Sequence, residues 1–435
     1  MQNRIINNTK WIIGCKVAQS LIQFLVGVLT ARYLGPSDYG LINYAASVVA
    51  FFVPLMELGL RHTLVQEYVS KPDKAGEIVG TSLVMNVTAA ILCIAGVSLV
   101  SLVINFHNKT AILVCILYSI SLLFQAVDML QYWFQAKLLS KYSSVSMLCA
   151  YVVVSAYKIV LLITQKSVFW FALSQTVEFA AIGILLLVVY HRIGAPRLKF
   201  SASMLRTLMA KSKFYIVSAL MVVVFGRIGN VFLSWLCGET ENGYYASALT
   251  CTCITSFVFL AIIDSVRPVV LDSKKQSQEI FDRNISRTYS AIIWLSLAQS
   301  VFFTIFARLI IRILYGVEYL PAIPVLQILV WNTAFSYMGY VRNIWILGEE
   351  QHHVLWMINL GGAIVSIVSN ALLIPLWGAC GAAVASVFTQ LFTNLIMGYI
   401  LKPIRKNNQL LMKGLNPKLL LEMIPELMSS RKKDA

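Results

Sequence analysis

The sequence has few charged residues for its length. Only 12% of its 435 residues are Asp, Glu, Lys or Arg, whereas 58% are hydrophobic, and the mean hydropathy is +0.75. A soluble protein of this size cannot bury that much apolar surface. The composition therefore argues against a soluble enzyme or a nucleic-acid-binding protein, and it predicts an all-α polytopic membrane protein.

Sequence motifs for catalysis and metal binding are also missing. There is no Gly-x4-Gly-Lys-Ser/Thr loop for a nucleoside triphosphate and no His-Glu-x-x-His, and the five histidines lack metal-ligand spacing. The eight cysteines are scattered singly, as small apolar fillers are. We predict no cofactor, no metal site and no catalytic residue. Any energy that the protein uses would come from an ion gradient, the membrane potential or a substrate's own gradient.

Twelve apolar segments, from 11–30 to 378–401, are each long enough to cross about 30 Å of hydrocarbon. The net charge is +16, and 26 of the 35 Lys and Arg residues fall on one side if the N-terminus is cytoplasmic. Basic residues concentrate in cytoplasmic loops, so this pattern predicts that both termini are cytoplasmic. One loop in the predicted cytoplasmic set, GEEQHH at 348–353, is acidic instead.

A turn motif occurs twice. Gly35-x4-Gly40-x4-Ala45 returns 203 residues later as Gly238-x4-Gly243-x4-Ala248, and further ordered matches follow at similar offsets. This predicts two six-helix lobes, 1–190 and 214–401, in a parallel repeat with the substrate cavity between them. Residues 191–213 would form a cytoplasmic linker with an amphipathic helix, and 402–435 a basic amphipathic tail.

Several charged or polar residues lie in or beside the apolar segments. A charge at the bilayer centre costs about 2.5–3.5 kcal/mol on insertion scales, so such residues usually face a partner or a wet cavity. Arg227, deep in its helix, is the strongest candidate for a substrate-binding residue. The other candidate cavity residues are Lys16, Gln19, Gln23, Arg32, Arg61, Lys158, Asn230, Arg267 and Arg342, and the candidate coupling or structural acids are Glu57, Asp128, Glu178 and Asp264.

Structural roles are open for many of these residues. Glu57 with Arg61 (i,i+4) and Asp264 with Arg267 (i,i+3) are either self-satisfied pairs or parts of a substrate site. For Asp128 and Glu178 we favour a role in holding helices together over a role in a cavity. Two of the candidate cavity cations also have a structural role as an alternative to substrate binding. Lys16 could extend to the inner membrane interface, and Arg32 could anchor the protein at lipid headgroups.

Five motifs in order resemble those of one transporter family: ARYLGPSDYGLINYAAS (31–47), PLMELGLR (54–61), DMLQYWFQAK (128–137), GVEYLPAIPVLQIL (316–329) and NALLIPLWGACGAAVAS (370–386). The chain resembles the polysaccharide transporters, which are Wzx-type flippases of O-antigen and other lipid-linked oligosaccharides. These belong to the multidrug/oligosaccharidyl-lipid/polysaccharide (MOP) exporter superfamily. The resemblance implies a MOP/MATE-like pair of lobes in the bacterial inner membrane.

The resemblance also implies a function in polysaccharide or lipopolysaccharide biosynthesis. Such proteins move undecaprenyl-pyrophosphate-linked sugar units from the cytoplasmic to the periplasmic leaflet by alternating access, and cations such as Arg32, Arg61 and Arg227 would hold the anionic headgroup. The implied partners are the lipid-linked oligosaccharide, membrane lipids, a polysaccharide polymerase and a chain-length regulator, with no nucleic acid. Where the family often has an acid, this chain has Gly229, which leaves Asp264 or Glu57 for proton coupling.

Two other functions remain open at this point. A cation-coupled multidrug exporter of the MATE type would have a cavity richer in acids and aromatic residues. A membrane-embedded glycosyltransferase or polymerase would need a carboxylate-bearing outer domain, and the predicted outer loops are short.

Overall fold

The computed structural model describes the backbone of residues 2–420 and the side chains of residues 14, 15, 17–61 and 63–420. Within residues 2–420 every regular element is helical, and eight helices are long and apolar enough to cross a membrane. A bent pair, 41° apart, makes a possible ninth span. The prediction of an all-α multi-pass protein is confirmed, whereas the number twelve stays a prediction.

The chain divides by its contacts into two units between Gly243 and Tyr244. The first unit holds α1 (Gln2–Met56), α2 (Leu60–Ser70), α3 (Ala75–Ile104), α4 (Lys109–Ser119), α5 (Ser121–Gln125), α6 (Leu130–Ala136), α7 (Ser140–Ile163), α8 (Val168–Arg192) and α9 (Ala202–Cys237). Helix α10 (Glu239–Cys253) begins in the first unit and ends in the second. The second unit continues with α11 (Ser256–Gln276), α12 (Gln278–Leu314), α13 (Ala322–Gly348), α14 (Val354–Leu391), α15 (Met397–Ile400) and α16 (Arg405–Gly414).

Glycines break the helices at the two repeated turns. Gly35 divides α1 with φ 72° and ψ 173°, and Gly238, between α9 and α10, has φ 91° and ψ 173°. This combination of a positive φ with an extended ψ is essentially confined to glycine. The two copies of the sequence motif therefore have the same backbone conformation at their first glycine.

The second glycines of the two motifs pack against the opposite turn, within the first unit. A Cβ atom on Gly40 would stand 1.8 Å from the carbonyl oxygen of Glu239, and one on Gly243 would stand 1.9 Å from that of Pro36. The amide of Asn242 reinforces the contact by donating to the carbonyl oxygen of Gly40 at 2.9 Å. The start of α10 is thus joined to α1, which is why the contacts divide the chain after Gly243.

The segment predicted as an interfacial linker packs on the first unit instead. Helix α9 begins at Ala202 and runs on as a membrane-length helix, with Met204 and Leu208 buried in the hydrophobic core beside α2 and α3. Before it, the backbone amide of Lys199 donates to the carbonyl oxygen of Gly76 at 3.0 Å. The apolar face at Met204 and Leu208 is therefore covered by protein, and the cytoplasmic linker at 191–213 stays a prediction.

An ion-paired glutamate fixes the start of α9. The side chain of Glu67 on α2 is 2% exposed, accepts a hydrogen bond from Lys211 on α9, and lies 3.1 Å from the ammonium of Lys71. Burial would raise the pKa of Glu67, but hydrogen bonds and charge from the two lysines outweigh burial and hold the pKa below its ordinary value.

The second unit has similar ties near its tail. The hydroxyl of Tyr289 on α12 donates to Asn407 of α16 at 2.9 Å, so the first part of the predicted 402–435 tail packs on protein. Residues 421–435 of that tail lie outside the described residues. The acidic loop at 348–353 also has a partner, because Glu349 accepts a hydrogen bond from Lys274 at 2.7 Å.

The contact between the two turns predicts that Gly40 does not tolerate a side chain. Gly40→Ala should destabilise the protein by about 1–3 kcal/mol, because the added Cβ forces two backbones apart. Thermal unfolding of the purified protein in detergent measures this. The control is Gly27→Ala, at a helical position with open space around it, where alanine should be neutral or stabilising. Equal stability of the two variants would contradict the assigned contact.

The ion pairs of Glu67 predict a pH-dependent contribution to stability. A carboxyl whose pKa is lower in the folded state stabilises the protein above its unfolded pKa, and that contribution is lost as the pH falls through the folded pKa. Wild type should therefore unfold at a higher temperature than Glu67→Gln at neutral pH, and the difference should shrink below about pH 4.5. Asp73→Asn, at an exposed position nearby, is the control. A difference that persists at low pH would rule out the ion pairs as its source.

Candidate functional site in the first unit

A buried glutamate joins two helices of the first unit. Glu178 on α8 is 6% exposed, and its carboxylate lies within interaction range of the hydroxyl of Tyr151 on α7 and of the amide of Gln175 one turn earlier on α8. Lys158 on α7 interacts with the same carboxylate through charge. Because Lys158 lies seven residues after Tyr151, two helical turns on, both side chains project from one face of α7.

The hydrogen bonds extend from Glu178 to α1 and α4. Tyr151 lies within interaction range of Gln19 on α1, and the hydroxyl of Tyr118 on α4 donates to Gln175 at 3.0 Å. Arg227 on α9 is exposed and interacts electrostatically with Tyr118. The structure thus brings Gln19, Lys158, Glu178 and Arg227 to one polar assembly, which we call the Glu178 network.

A second polar assembly lines a recess in the same unit. Glu57, Arg61 and Asp128 surround it together with amide side chains, and its empty volume is about 260 Å³ including the part open to solvent. Gln131 donates to one oxygen of Asp128 at 2.8 Å. The full lining of this recess, which we call the Asp128 recess, is Glu57, Leu60, Arg61, Asn86, Gln125, Asp128, Met129, Gln131 and Tyr132.

The two assemblies interact through charge. Asp128 is within electrostatic range of both Glu57 and Glu178, and Arg61 opposes the repulsion among these acids. Carboxylates in a low-dielectric environment influence one another over longer distances than in water. The Asp128 recess and the Glu178 network are therefore electrically coupled parts of one candidate site.

The predicted residues of the second unit have contacts within that unit. Arg342 is 8% exposed and donates to the carbonyl oxygen of Thr393 at 2.8 Å and to Asn394 at 2.9 Å, which ties α13 to a π-helical turn, Phe392–Ile396. Asp264 and Arg267 form an ion pair at 3.0 Å on the exposed side of α11.

The remaining predicted residues do not join the Glu178 network. Asn230 is buried and donates to Asn242 at 2.9 Å, so it supports the contact between the two turns. Arg32 and Gln23 are exposed on α1. The side chain of Lys16 lies outside the described residues. In the part of the chain that is described, no group of three or more His, Cys, Asp or Glu is placed to hold a metal ion.

Neutral side chains complete both assemblies, and the sequence analysis missed them. Ionisable residues and polar stripes on single helices are the signals used within the apolar segments, and neither signal reveals an isolated neutral side chain. A signal was available, since hydroxyl and amide groups inside apolar spans also need partners. The missed residues are Tyr118, Tyr151 and Gln175 in the Glu178 network, and Asn86, Gln125, Gln131 and Tyr132 in the Asp128 recess.

Comparison with solved structures identifies the fold. The chain is similar to an inward-facing multidrug resistance MATE family transporter of the MOP superfamily, with a TM-score of 0.67, 13% identity, and coverage of 91% of this chain and 96% of that one. It is similar to the lipid II flippase MurJ in an inward closed conformation, with a TM-score of 0.66, 13% identity, and coverage of 95% and 93%. A MOP superfamily transporter from Pyrococcus furiosus matches with a TM-score of 0.62, 12% identity, and coverage of 93% and 95%.

Sequence comparison identifies the family. The family described as "Polysaccharide biosynthesis protein" matches residues 5–274, which is more than half of the 435-residue chain. A relative, an uncharacterized membrane protein of Methanocaldococcus jannaschii, is 24% identical over 212 residues, or 46% of this chain. The chain spans 40% of that relative's length. This multi-pass membrane protein has the MOP superfamily fold and belongs to the polysaccharide biosynthesis protein family.

Proposed function

We propose that the protein is a flippase for a lipid-linked oligosaccharide of polysaccharide biosynthesis. The observation that carries the proposal is the family match over residues 5–274. The proposed cargo is an undecaprenyl-pyrophosphate-linked repeat unit, such as an O-antigen unit of lipopolysaccharide. It would move from the cytoplasmic to the periplasmic leaflet of the bacterial inner membrane, with both termini of the protein cytoplasmic.

The chemistry of the cargo fits the exposed cations of the first unit. A sugar-pyrophosphate headgroup cannot cross about 30 Å of hydrocarbon without polar groups to replace its water. Guanidinium groups bind phosphate through paired hydrogen bonds, and their charge persists at any physiological pH. Arg32, Arg61 and Arg227 are exposed, so they are free to meet a ligand in a way that the buried Arg342 is not.

In this proposal the headgroup binds to cations in one conformation of the protein and leaves from the other, while the lipid tail stays in the bilayer. The acids of the candidate site are too buried to bind a large headgroup, and they suit a small coupling ion or proton. The role is transport and includes no catalytic step.

A cation-coupled multidrug exporter is the second candidate, because the fold similarity to a MATE transporter is nearly the same as that to the lipid II flippase. Such low identities establish the fold alone. We favour the flippase because the family match concerns polysaccharide biosynthesis. Drug-efflux assays in a sensitive strain distinguish the two, since only an exporter would lower drug accumulation.

Arg227 is the first residue to test in cells that depend on this protein for surface polysaccharide. Arg227→Ala should lower surface polysaccharide by about tenfold or more, because a charged hydrogen bond contributes about 1.5–3 kcal/mol. The lipid-linked precursor should accumulate, while immunoblotting shows normal protein abundance. Arg206→Ala removes another exposed arginine from α9 and should leave the polysaccharide unchanged. Normal polysaccharide in Arg227→Ala would refute the assigned role.

The Glu178 network can be tested for stability and transport separately. Glu178→Gln removes the negative charge with which Lys158 interacts and should destabilise the protein by about 1–3 kcal/mol, because the lysine is then less well compensated. The double variant Glu178→Gln/Lys158→Met removes both charges and should recover most of that stability. Thermal unfolding in detergent measures both effects. Unchanged stability of the single variant would contradict the pairing, and a stable double variant that fails to export polysaccharide would assign the network to transport.

A further inference from the structure

The connection between α8 and α9 exposes basic and apolar side chains next to one another. We call residues 192–201, from the last residue of α8 to the residue before α9, the α8–α9 segment. In it Leu198 is 43% exposed and Phe200 is 57% exposed, and the neighbouring cations Arg197 and Lys199 are exposed as well. Segments that lie in the membrane interface typically combine Lys and Arg with Leu, Phe and Trp in this way.

The first unit holds the backbone of this segment and leaves these side chains uncovered. The hydroxyl of Tyr190 on α8 donates to the carbonyl oxygen of Pro196 at 2.8 Å, and the amide of Ser201 donates to the hydroxyl of Thr81 on α3 at 3.0 Å. The backbone also lies directly on α3, because a Cβ atom on Gly80 would stand 2.5 Å from the carbonyl oxygen of Lys199. A backbone fixed in this manner keeps the exposed side chains in place without covering them.

The cations of the segment have no acidic partner. Among the described residues, no acid forms an ion pair with Arg192, Arg197 or Lys199. The sequence also contains no Asp or Glu between Glu178 and Glu239, so neither α8 after that point nor α9 can supply one. The positive charge of this surface is therefore available to an anion from outside the chain.

The segment lies close to the edge of the hydrocarbon layer. Helix α8 has 25 residues, and both it and α9 are long and apolar enough to span a membrane. At 1.5 Å per residue α8 is about 37 Å long, which is only slightly more than the roughly 30 Å of a hydrocarbon core. Arg192 at the end of α8 therefore falls in the headgroup layer. The distribution of Lys and Arg predicts that this is the cytoplasmic side, where the leaflet carries anionic headgroups.

We propose that the α8–α9 segment is a docking surface for anionic phospholipids of the surrounding membrane. Arg192, Arg197 and Lys199 bind the headgroup phosphates through charge-assisted hydrogen bonds. Leu198 and Phe200 contact the first part of the acyl chains. Charge complementarity decides the occupant, because a zwitterionic headgroup has no net charge with which to balance three cations. An acidic protein would have to compete at the membrane surface with phospholipids in large excess.

This surface goes beyond the proposed transport function and does not depend on it. All of its residues lie in the first unit, and lipid binding is measured on the purified protein without any lipid-linked sugar. A negative result for lipid binding would leave the flippase proposal unaffected. A negative result for polysaccharide export would leave the lipid-binding result unaffected.

Thermal unfolding of the full chain in detergent, with added phospholipid, tests the proposal. Phosphatidylglycerol should raise the melting temperature saturably and by more than phosphatidylcholine with the same acyl chains, because a ligand that binds the folded state stabilises it. The difference should shrink in about 1 M sodium chloride, where the Debye length is only about 3 Å. Native mass spectrometry should show more phosphatidylglycerol than phosphatidylcholine retained per chain.

A double variant tests the cations. Arg197→Gln/Lys199→Gln should lower the apparent affinity for phosphatidylglycerol by about tenfold or more, since each cation near an anionic surface contributes to binding. Its melting temperature in phosphatidylcholine should equal that of wild type, because both side chains are exposed. The matched control is Lys275→Gln/Lys406→Gln, which removes two cations that already lie 2.9 Å and 2.7 Å from acids of the second unit. This control should retain the preference for phosphatidylglycerol.

The apolar part of the surface has its own test. Phe200→Ser removes an exposed aromatic ring without changing the charge. It should weaken the binding of phosphatidylglycerol and phosphatidylcholine by a similar factor, because both lipids have the same acyl chains. The preference for the anionic headgroup should persist in this variant.

Several results would overturn the proposal. One is a wild-type protein that has the same melting temperature in phosphatidylglycerol and phosphatidylcholine. Another is a preference for phosphatidylglycerol that survives Arg197→Gln/Lys199→Gln, since the lipid would then bind elsewhere. A third is equal stabilisation by soluble glycerol 3-phosphate, which would indicate a site for a free phosphate. A fourth is stabilisation by polyglutamate alone, which would indicate an acidic protein as the partner.

Discussion

The low dielectric of the hydrocarbon layer is the constraint on which the first unit depends. A carboxylate inside a membrane-length helix has little water to solvate it, so neighbouring helices must supply hydrogen bonds and opposite charge. Glu178 illustrates this requirement, because Tyr151 and Lys158 come from α7, and Gln19 extends the network to α1. The polar groups thus add interactions between helices to the apolar packing of the first unit.

The glycine contact has a comparable role outside the charged network. Gly40 and Gly243 let two backbones approach more closely than any side chain would allow, and Asn242 hydrogen-bonds across the contact. Together with the ion pairs of Glu67, this fixes α9 to the first unit at both its beginning and its end. Arg227 lies between these two attachments, so its position relative to Tyr118 is set by packing at both ends of a single long helix.

The all-α fold, the repeated turn and many of the candidate charged residues could be predicted from the sequence. Hydropathy, glycine spacing and charged residues within apolar segments are each visible in a short stretch of sequence. The partner that a buried polar side chain binds is often far away in the sequence, so local patterns do not reveal it. Asp264 and Arg267 pair within one helical turn, as their spacing suggested, whereas Arg342 is bonded to carbonyl and amide groups more than 50 residues away. The amphipathic face of 202–209 was recognised correctly, but sequence periodicity does not distinguish a face that meets lipid from one that meets protein.

The electrical link between the two polar assemblies gives the proposed transport cycle a physical basis. Asp128 and Glu178 repel each other when both are ionised, and Lys158 attracts Glu178. Loss of the negative charge on Asp128 would remove part of this repulsion, so the attraction between Glu178 and Lys158 would contribute more to the packing of α7 and α8. An ion that affects the two conformations unequally shifts the equilibrium between them by the difference in its binding free energy. The Asp128 recess can therefore influence α7 and α8 through charge as well as through the direct packing of Val127 on α8.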